Sequence, residues 1–118
     1  MKHRLKDILN LLRELQKIDP ELPLQYAICL CEIAGDEGLS LTALSQRTGM
    51  PLSTVSRIVG ALAQNRQRGV PYNLVRVALS AAERRKKELY LTARGRAVIS
   101  GLHGIIDSAA TAEQQLRA

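Results

Sequence analysis

The chain of 118 residues has no phenylalanine and no tryptophan, and its only aromatic side chains are Tyr26, Tyr72 and Tyr90. Its core must therefore be aliphatic. Readers of single-stranded nucleic acid commonly stack bases on aromatic platforms, so this composition argues against that class. Cysteine is almost as scarce: Cys29 and Cys31 stand two apart in an apolar helical run, where side chains diverge by about 200° around the axis. They are poorly placed to hold one metal ion together. His3 and His103 lie near opposite ends of the chain, which leaves no second ligand pair, and neither a metal nor another cofactor is expected. Both cysteines read as core-type thiols; a redox sensor would need exposure and a lowered pKa.

Long apolar runs are missing too. Lys6, Asp7, Arg13 and Glu14 interrupt the first one long before a secretory signal or a membrane span could be completed. The expectation is a soluble cytoplasmic protein with no membrane partner. Also absent are a His/Asp/Ser or Cys/His grouping, a glycine-rich phosphate loop, and any clustered carboxylate pair other than Asp36-Glu37 in a turn. An enzyme is not expected.

What is present is positive charge, unevenly spread. Residues 64 to 96 carry nine Lys/Arg, namely Arg66, Arg68, Arg76, Arg84, Arg85, Lys86, Lys87, Arg94 and Arg96, against Glu83 and Glu88. The net charge of +6 thus has a local origin. A solvated loop is the plain reading of such a cluster. A concentrated field that attracts a polyanion is the other.

Length and a hydrophobic content of 46% suit a single domain over 1–118. Leu5, Ile8, Leu9, Leu12, Leu15 and Ile18 recur at helical spacing, widened by Leu11, so a first helix over 1–19 should bury two sides. Pro20 and Pro23 break the chain before a second helix that reaches about Ala34. Tyr26, Ala27, Ile28, Leu30, Cys31 and Ile33 make it apolar nearly all round, which predicts a central position. After a turn from Gly35 to Gly38, Ser40 can cap a short third helix from Leu41 to Thr48, closed by Gly49. Beyond Met50 and Pro51 a fourth helix runs to about Gln64, docked through Leu52, Val55, Ile58, Val59 and Leu62. This is a helix-turn-helix over 40–64.

The period then changes. Leu74, Val75, Val77 and Leu79, followed by Leu89 and Leu91, read as two strands over 74–91 with Ser80 to Lys86 as their tip. A hairpin of this kind is a wing. Thr92 can cap a last helix over 93–118, with Val98, Ile99, Leu102, Ile105, Ile106 and Ala109 on its apolar side. Surplus apolar surface on both end helices predicts association through Leu5, Ile8, Leu9, Leu12, Leu102, Ile105 and Ile106. The fold class expected is mainly α with a small β-hairpin (α+β), a winged helix-turn-helix with dimerising helices at both ends.

Duplex recognition requires phosphate contacts for register and short side chains on base edges for sequence. The fourth helix leaves Ser53, Thr54, Ser56 and Arg57 on its outer face. Arg57 can bond a guanine edge or a phosphate, or simply sit in water. Thr42, Gln46 and Arg47 on the third helix suit backbone contact or solvent, and Arg84, Arg85 and Lys86 at the wing tip suit a narrow minor groove.

The run Glu83-Arg84-Arg85-Lys86-Lys87-Glu88-Leu89-Tyr90-Leu91-Thr92-Ala93-Arg94-Gly95 resembles the wing and following helix start of the MarR (multiple antibiotic resistance regulator) family. There an acidic residue, an arginine two later and a Leu-Thr-x-x-Gly recur. Leu41 to Gly49, followed by Ser53-Thr54-Val55-Ser56-Arg57, is similar to that family's helix-turn-helix. The resemblance implies a homodimeric transcription regulator on a near-palindromic double-stranded operator, with the fourth helix in the major groove. It further implies that Arg85 is the minor-groove arginine and Glu83 the acidic residue that shapes the wing. Glu83 replaces the commoner aspartate, Pro51 stands where a capping serine is usual, and Arg66 to Asn73 forms a longer connection. Two alternatives stay open: a winged-helix adaptor whose basic wing meets an acidic protein, and a plasmid or phage replication or partition factor. No polar cluster in the apolar helices supports a small-molecule effector.

Overall fold

The computed structural model describes residues 2–64, 69–83 and 85–117. In chain order the elements are α1 (Lys2–Gln16), α2 (Leu24–Gly35), α3 (Leu41–Thr48), α4 (Leu52–Leu62), β1 (Val75–Leu79), β2 (Lys87–Leu91) and α5 (Ala93–Arg117). This is the mainly helical α+β order, with one hairpin, that the periodicities predict. Residues 23–96 form one compact unit, and residues 1–22 together with 97–118 form another.

Among the described residues of 23–96 the core is aliphatic apart from the Cys29 thiol and one buried ring. Leu30 and Ile33 of α2, Leu44 of α3, Val55, Ile58 and Leu62 of α4, Leu74 just before β1 and Leu89 of β2 are all fully buried. Tyr72 joins them and meets Tyr26 edge to face, with ring centroids 6.1 Å apart. Side-chain caps start α3 and α5. Ser40 Oγ accepts the Ala43 N–H at 3.1 Å to start α3, and Gly49 ends it in the left-handed region at φ 73°, a conformation that costs other residues more. Thr92 Oγ1 accepts the Gly95 N–H at 3.0 Å to start α5.

The end of α4 is closed by chain that follows it. The N–H groups of Tyr72, Asn73 and Leu74 donate to the carbonyls of Ala61, Ala63 and Leu62 at 3.3, 3.0 and 2.8 Å, satisfying acceptors that a helix terminus leaves open. The long connection thus returns to the helix it left. Only residues 65–68 of it, with Arg66 and Arg68, lie outside the described part.

In the hairpin, Val75 pairs with Leu91, Arg76 with Tyr90, Val77 with Leu89 and Leu79 with Lys87. The guanidinium of Arg76 lies 4.6 Å from the Tyr90 ring centre, a cation–π contact across the strands. The sequence pattern does not show a third edge. The Gly38 N–H donates to Leu89 O at 2.7 Å, the Leu89 N–H donates to Leu39 O at 3.0 Å, and Ser40 bridges Glu88. The segment entering α3 is thereby bonded to the wing.

Three expectations need correction. The helix α2 is not apolar-packed all round: Leu24, Ile28 and Cys31 are exposed while Ala27, Cys29, Leu30 and Ile33 are buried. Leu52 does not belong to the docking stripe of α4, because at the first turn it is 49% exposed. Val77 and Leu79, at 40% and 66%, also stand in solvent, since β1 is the outer strand of the hairpin while β2 packs on α2 and α3, and Leu79 lies toward the tip.

In the other unit, Arg4 of α1 meets Glu113 of α5 at 3.1 Å. A Cβ on Gly101 would lie 3.0 Å from the Glu14 carboxylate. The two contacts place the N-terminal part of α1 beside the C-terminal part of α5, so the segments run antiparallel. Leu5, Ile8, Leu9, Leu12 and Ile106 are exposed there and Ile105 is half-buried. Leu102 is already buried within the chain, so it is not available to a second copy. Among the described residues no helix is long and apolar enough to cross a membrane.

Candidate nucleic-acid interface

The turn between α3 and α4 is held by side chains. Ser45 Oγ donates to Met50 O at 2.6 Å, and Thr48 Oγ1 donates to Leu44 O at 2.8 Å while accepting the Met50 N–H at 3.3 Å. Pro51 occupies the N-cap of α4 with no side-chain cap bond, and its fixed φ suits a helix start. These bonds set the angle between the helices. The apolar side of α4 is buried through Val55, Ile58, Val59, Ala61 and Leu62, so the opposite side faces outward. Ser53, Ser56 and Arg57 are exposed there, and Thr54 is half-buried.

The wing tip is shaped chiefly by Ser80. Its Oγ accepts the N–H groups of Ala82 and Glu83 at 3.2 and 3.3 Å, and its own N–H donates to Lys86 O at 2.8 Å. Among the described residues Glu83 contributes through its backbone, its carbonyl accepting the Lys86 N–H at 2.9 Å. The Ser80 hydroxyl, three residues earlier, therefore bonds the backbone of the segment that carries Glu83. Arg85, Lys86 and Lys87 are exposed, and among the described residues none of them has a carboxylate partner. Arg84 lies outside the described residues.

These parts meet in one place. A cleft of about 260 Å³ is lined by Thr42 of α3, Leu52 and Ser56 of α4, and Arg85, Lys86 and Lys87 of the wing. Arg57 stands one residue from Ser56 on the exposed side, with no ion pair among the described residues. The outer face of α4 and the cationic tip therefore share a surface, fixed by the bonds from Gly38–Ser40 to β2. Gln46 is exposed on α3 but does not line this cleft.

Not all the positive charge points outward unopposed. Arg47 donates to Asp36 Oδ2 at 2.6 Å, which neutralises part of its charge. Arg96 reaches Glu37 Oε1 at 3.4 Å, and that oxygen also accepts the Leu91 N–H at 2.7 Å. The carboxylates of the Asp36-Glu37 turn thus brace the scaffold, tying the α2–α3 turn to α3, β2 and the start of α5. Their proximity to arginines far along the chain has no sequence signal.

Neither cysteine is activated. Burial, reinforced by the Glu32 charge, pushes the buried Cys29 thiol up to about 11. The same two causes raise Cys31, even though its residue is exposed, and this corrects the expectation that both thiols belong to the core. A raised pKa disfavours the reactive thiolate.

The IclR helix-turn-helix domain model matches residues 33–67, which span the end of α2, all of α3 and all of α4. No curated protein matches the chain. Among solved structures, the chain is similar to the MepR–DNA complex of S. aureus, with a TM-score of 0.75 and 19% identity over 98% of this chain and 86% of that one. It is similar to RV1404 from Mycobacterium tuberculosis, with a TM-score of 0.72 and 20% identity over 94% and 71%. It is also similar to MarR, with a TM-score of 0.62 and 19% identity over 83% and 65%. The chain has the winged-helix fold of MarR-type regulators.

Proposed function

We propose that this protein is a DNA-binding transcription regulator of the MarR type, acting as a homodimer on a near-palindromic operator. The observation that carries the reading is the shared cleft, in which the outer face of α4 and the wing cations line one surface. An α-helix fits the major groove of B-form DNA, and cations suit the adjacent, more negative minor groove. Ser53, Thr54 and Ser56 are short enough for close approach, Arg57 can donate two hydrogen bonds to guanine, and Arg85 with Lys86 meets the minor groove or its phosphates. Thr42, Gln46 and a partly neutralised Arg47 address the backbone.

Leu5, Ile8, Leu9, Leu12 and Ile106 support dimerisation, because five exposed aliphatic residues on two antiparallel segments form a patch that water disfavours. A two-fold dimer places its recognition helices about one helical turn apart, hence the near-palindrome. Retention by random duplex DNA at low salt tests the reading. Arg57→Ala should weaken binding and relax specificity, and Arg85→Ala/Lys86→Ala should lower the log–log salt slope by about 0.9 for each lost phosphate contact. A chain that ignores duplex DNA but binds an acidic protein through its wing would be an adaptor.

A further inference from the structure

We infer that Leu52 reads the methyl group of a thymine in the major groove. The inference rests on the reading above, in which α4 enters that groove. Exposed leucines occur singly on many surfaces without meaning, so exposure alone carries nothing; the position of this one does. Leu52 is the first residue of α4, and the first turn of a recognition helix is the part that meets base edges. Among the outward residues of the first two turns, Leu52, Ser53, Ser56 and Arg57, it is the only apolar one. It also lines the cleft that the wing cations border.

The chemistry of the groove leaves one partner for such a side chain. Base edges in the major groove present hydrogen-bond donors, acceptors and a single apolar group, the C5-methyl of thymine. Against any other base Leu52 would strip water from a polar edge without replacing its hydrogen bonds, which disfavours those bases. Leu52 and Ser56 stand four residues apart and so lie one above the other on the helix. The leucine can therefore meet a methyl while Ser56 meets the neighbouring edge. Arg57, one residue further round, addresses a different base.

The test uses the full chain and duplex DNA selected by it from a random pool. Each thymine of the selected site is replaced in turn by deoxyuridine, which removes only the methyl and leaves every hydrogen-bonding group in place. The expected result is a rise in Kd of about fourfold at one thymine position in each half-site, the worth of one buried methyl. Leu52→Ala should lose that difference, and Leu52→Met, which keeps apolar reach, should retain it. Uniform binding of every uridine-substituted site by the wild-type protein overturns the inference while leaving the regulator reading intact. So does an unchanged methyl preference in Leu52→Ala. Failure to select any duplex DNA sinks both.

Discussion

Gly95 is the position at which a single methyl group should do most damage. A Cβ there would lie 2.1 Å from the Leu74 carbonyl oxygen and 3.4 Å from Leu91 Cβ. Carbon and carbonyl oxygen normally approach to about 3.3 Å, so Gly95→Ala demands a backbone shift of more than 1 Å. The obstructing atom cannot swing aside, since Leu74 O also accepts the Thr92 N–H at 3.0 Å and Leu74 N donates to Leu62 O at 2.8 Å. Overpacking of this kind costs about 1 to 3 kcal/mol, and loss of the Thr92 bond adds about 1 kcal/mol. Alanine's better helix propensity returns about 1 kcal/mol. The net destabilisation is about 1 to 3 kcal/mol, which at a urea m-value of about 2 kcal/mol/M lowers the midpoint by about 0.5 to 1.5 M. Gly35→Ala, where a Cβ meets nothing within 4 Å, is the matched control and should be neutral or stabilising by up to about 1 kcal/mol. Urea unfolding of both variants by far-UV circular dichroism decides the matter. If Gly95→Ala unfolds at or above the wild-type midpoint, the close passage of α5 under Leu74 is wrong.

Ser40→Ala should cost about 1 kcal/mol through loss of the α3 cap, read from the same unfolding curves, with Ser40→Asp close to wild type. Cys29 carries a pH dependence: its folded pKa of about 11 exceeds the ordinary 9.0, so the folded state holds the proton more tightly. The resulting stabilisation is complete below pH 9 and is lost as pH rises through 11, with a magnitude of about 2 to 3 kcal/mol. The stability difference between wild type and Cys29→Ala should therefore shrink across that window, and a constant difference contradicts the buried thiol. Ile8→Glu/Leu12→Glu should turn a dimer into a monomer by light scattering at micromolar concentration; a wild-type protein that is itself monomeric there refutes the association surface.

The part of the fold legible in the sequence is the part governed by neighbours along the chain. Ser40, Gly49 and Thr92 act on the turn next to them, so residue type and spacing located the starts of α3 and α5 and the end of α3. The burial of Val55, Ile58, Val59 and Leu62 follows from helical period alone. Period cannot say how far a stripe reaches before its partner surface ends, and that is why it places Leu52 on the core side although the residue stands in the cleft. The same limit explains Val77 and Leu79, which lie on the outer strand of the hairpin, and the exposed side of α2.

The relation between helix and wing was the least legible feature, and it is the one on which the proposed DNA recognition depends. Two mobile parts joined only by the connection after α4 would pay an ordering cost on meeting a duplex. Here Gly38, Leu39 and Ser40 bond directly to β2, and Glu37 adds a bond to Leu91 and a contact to Arg96. The residues that lead into α3 are therefore also an edge of the wing sheet, so α3, α4 and the hairpin share one framework. Nothing in the composition of Gly35 to Ser40 marks it as a strand, because its partners lie about fifty residues away and only the folded chain brings them together. A turn that doubles as a sheet edge lets a cationic tip and a helix face be presented at a fixed spacing, which is what two adjacent grooves of a rigid duplex require.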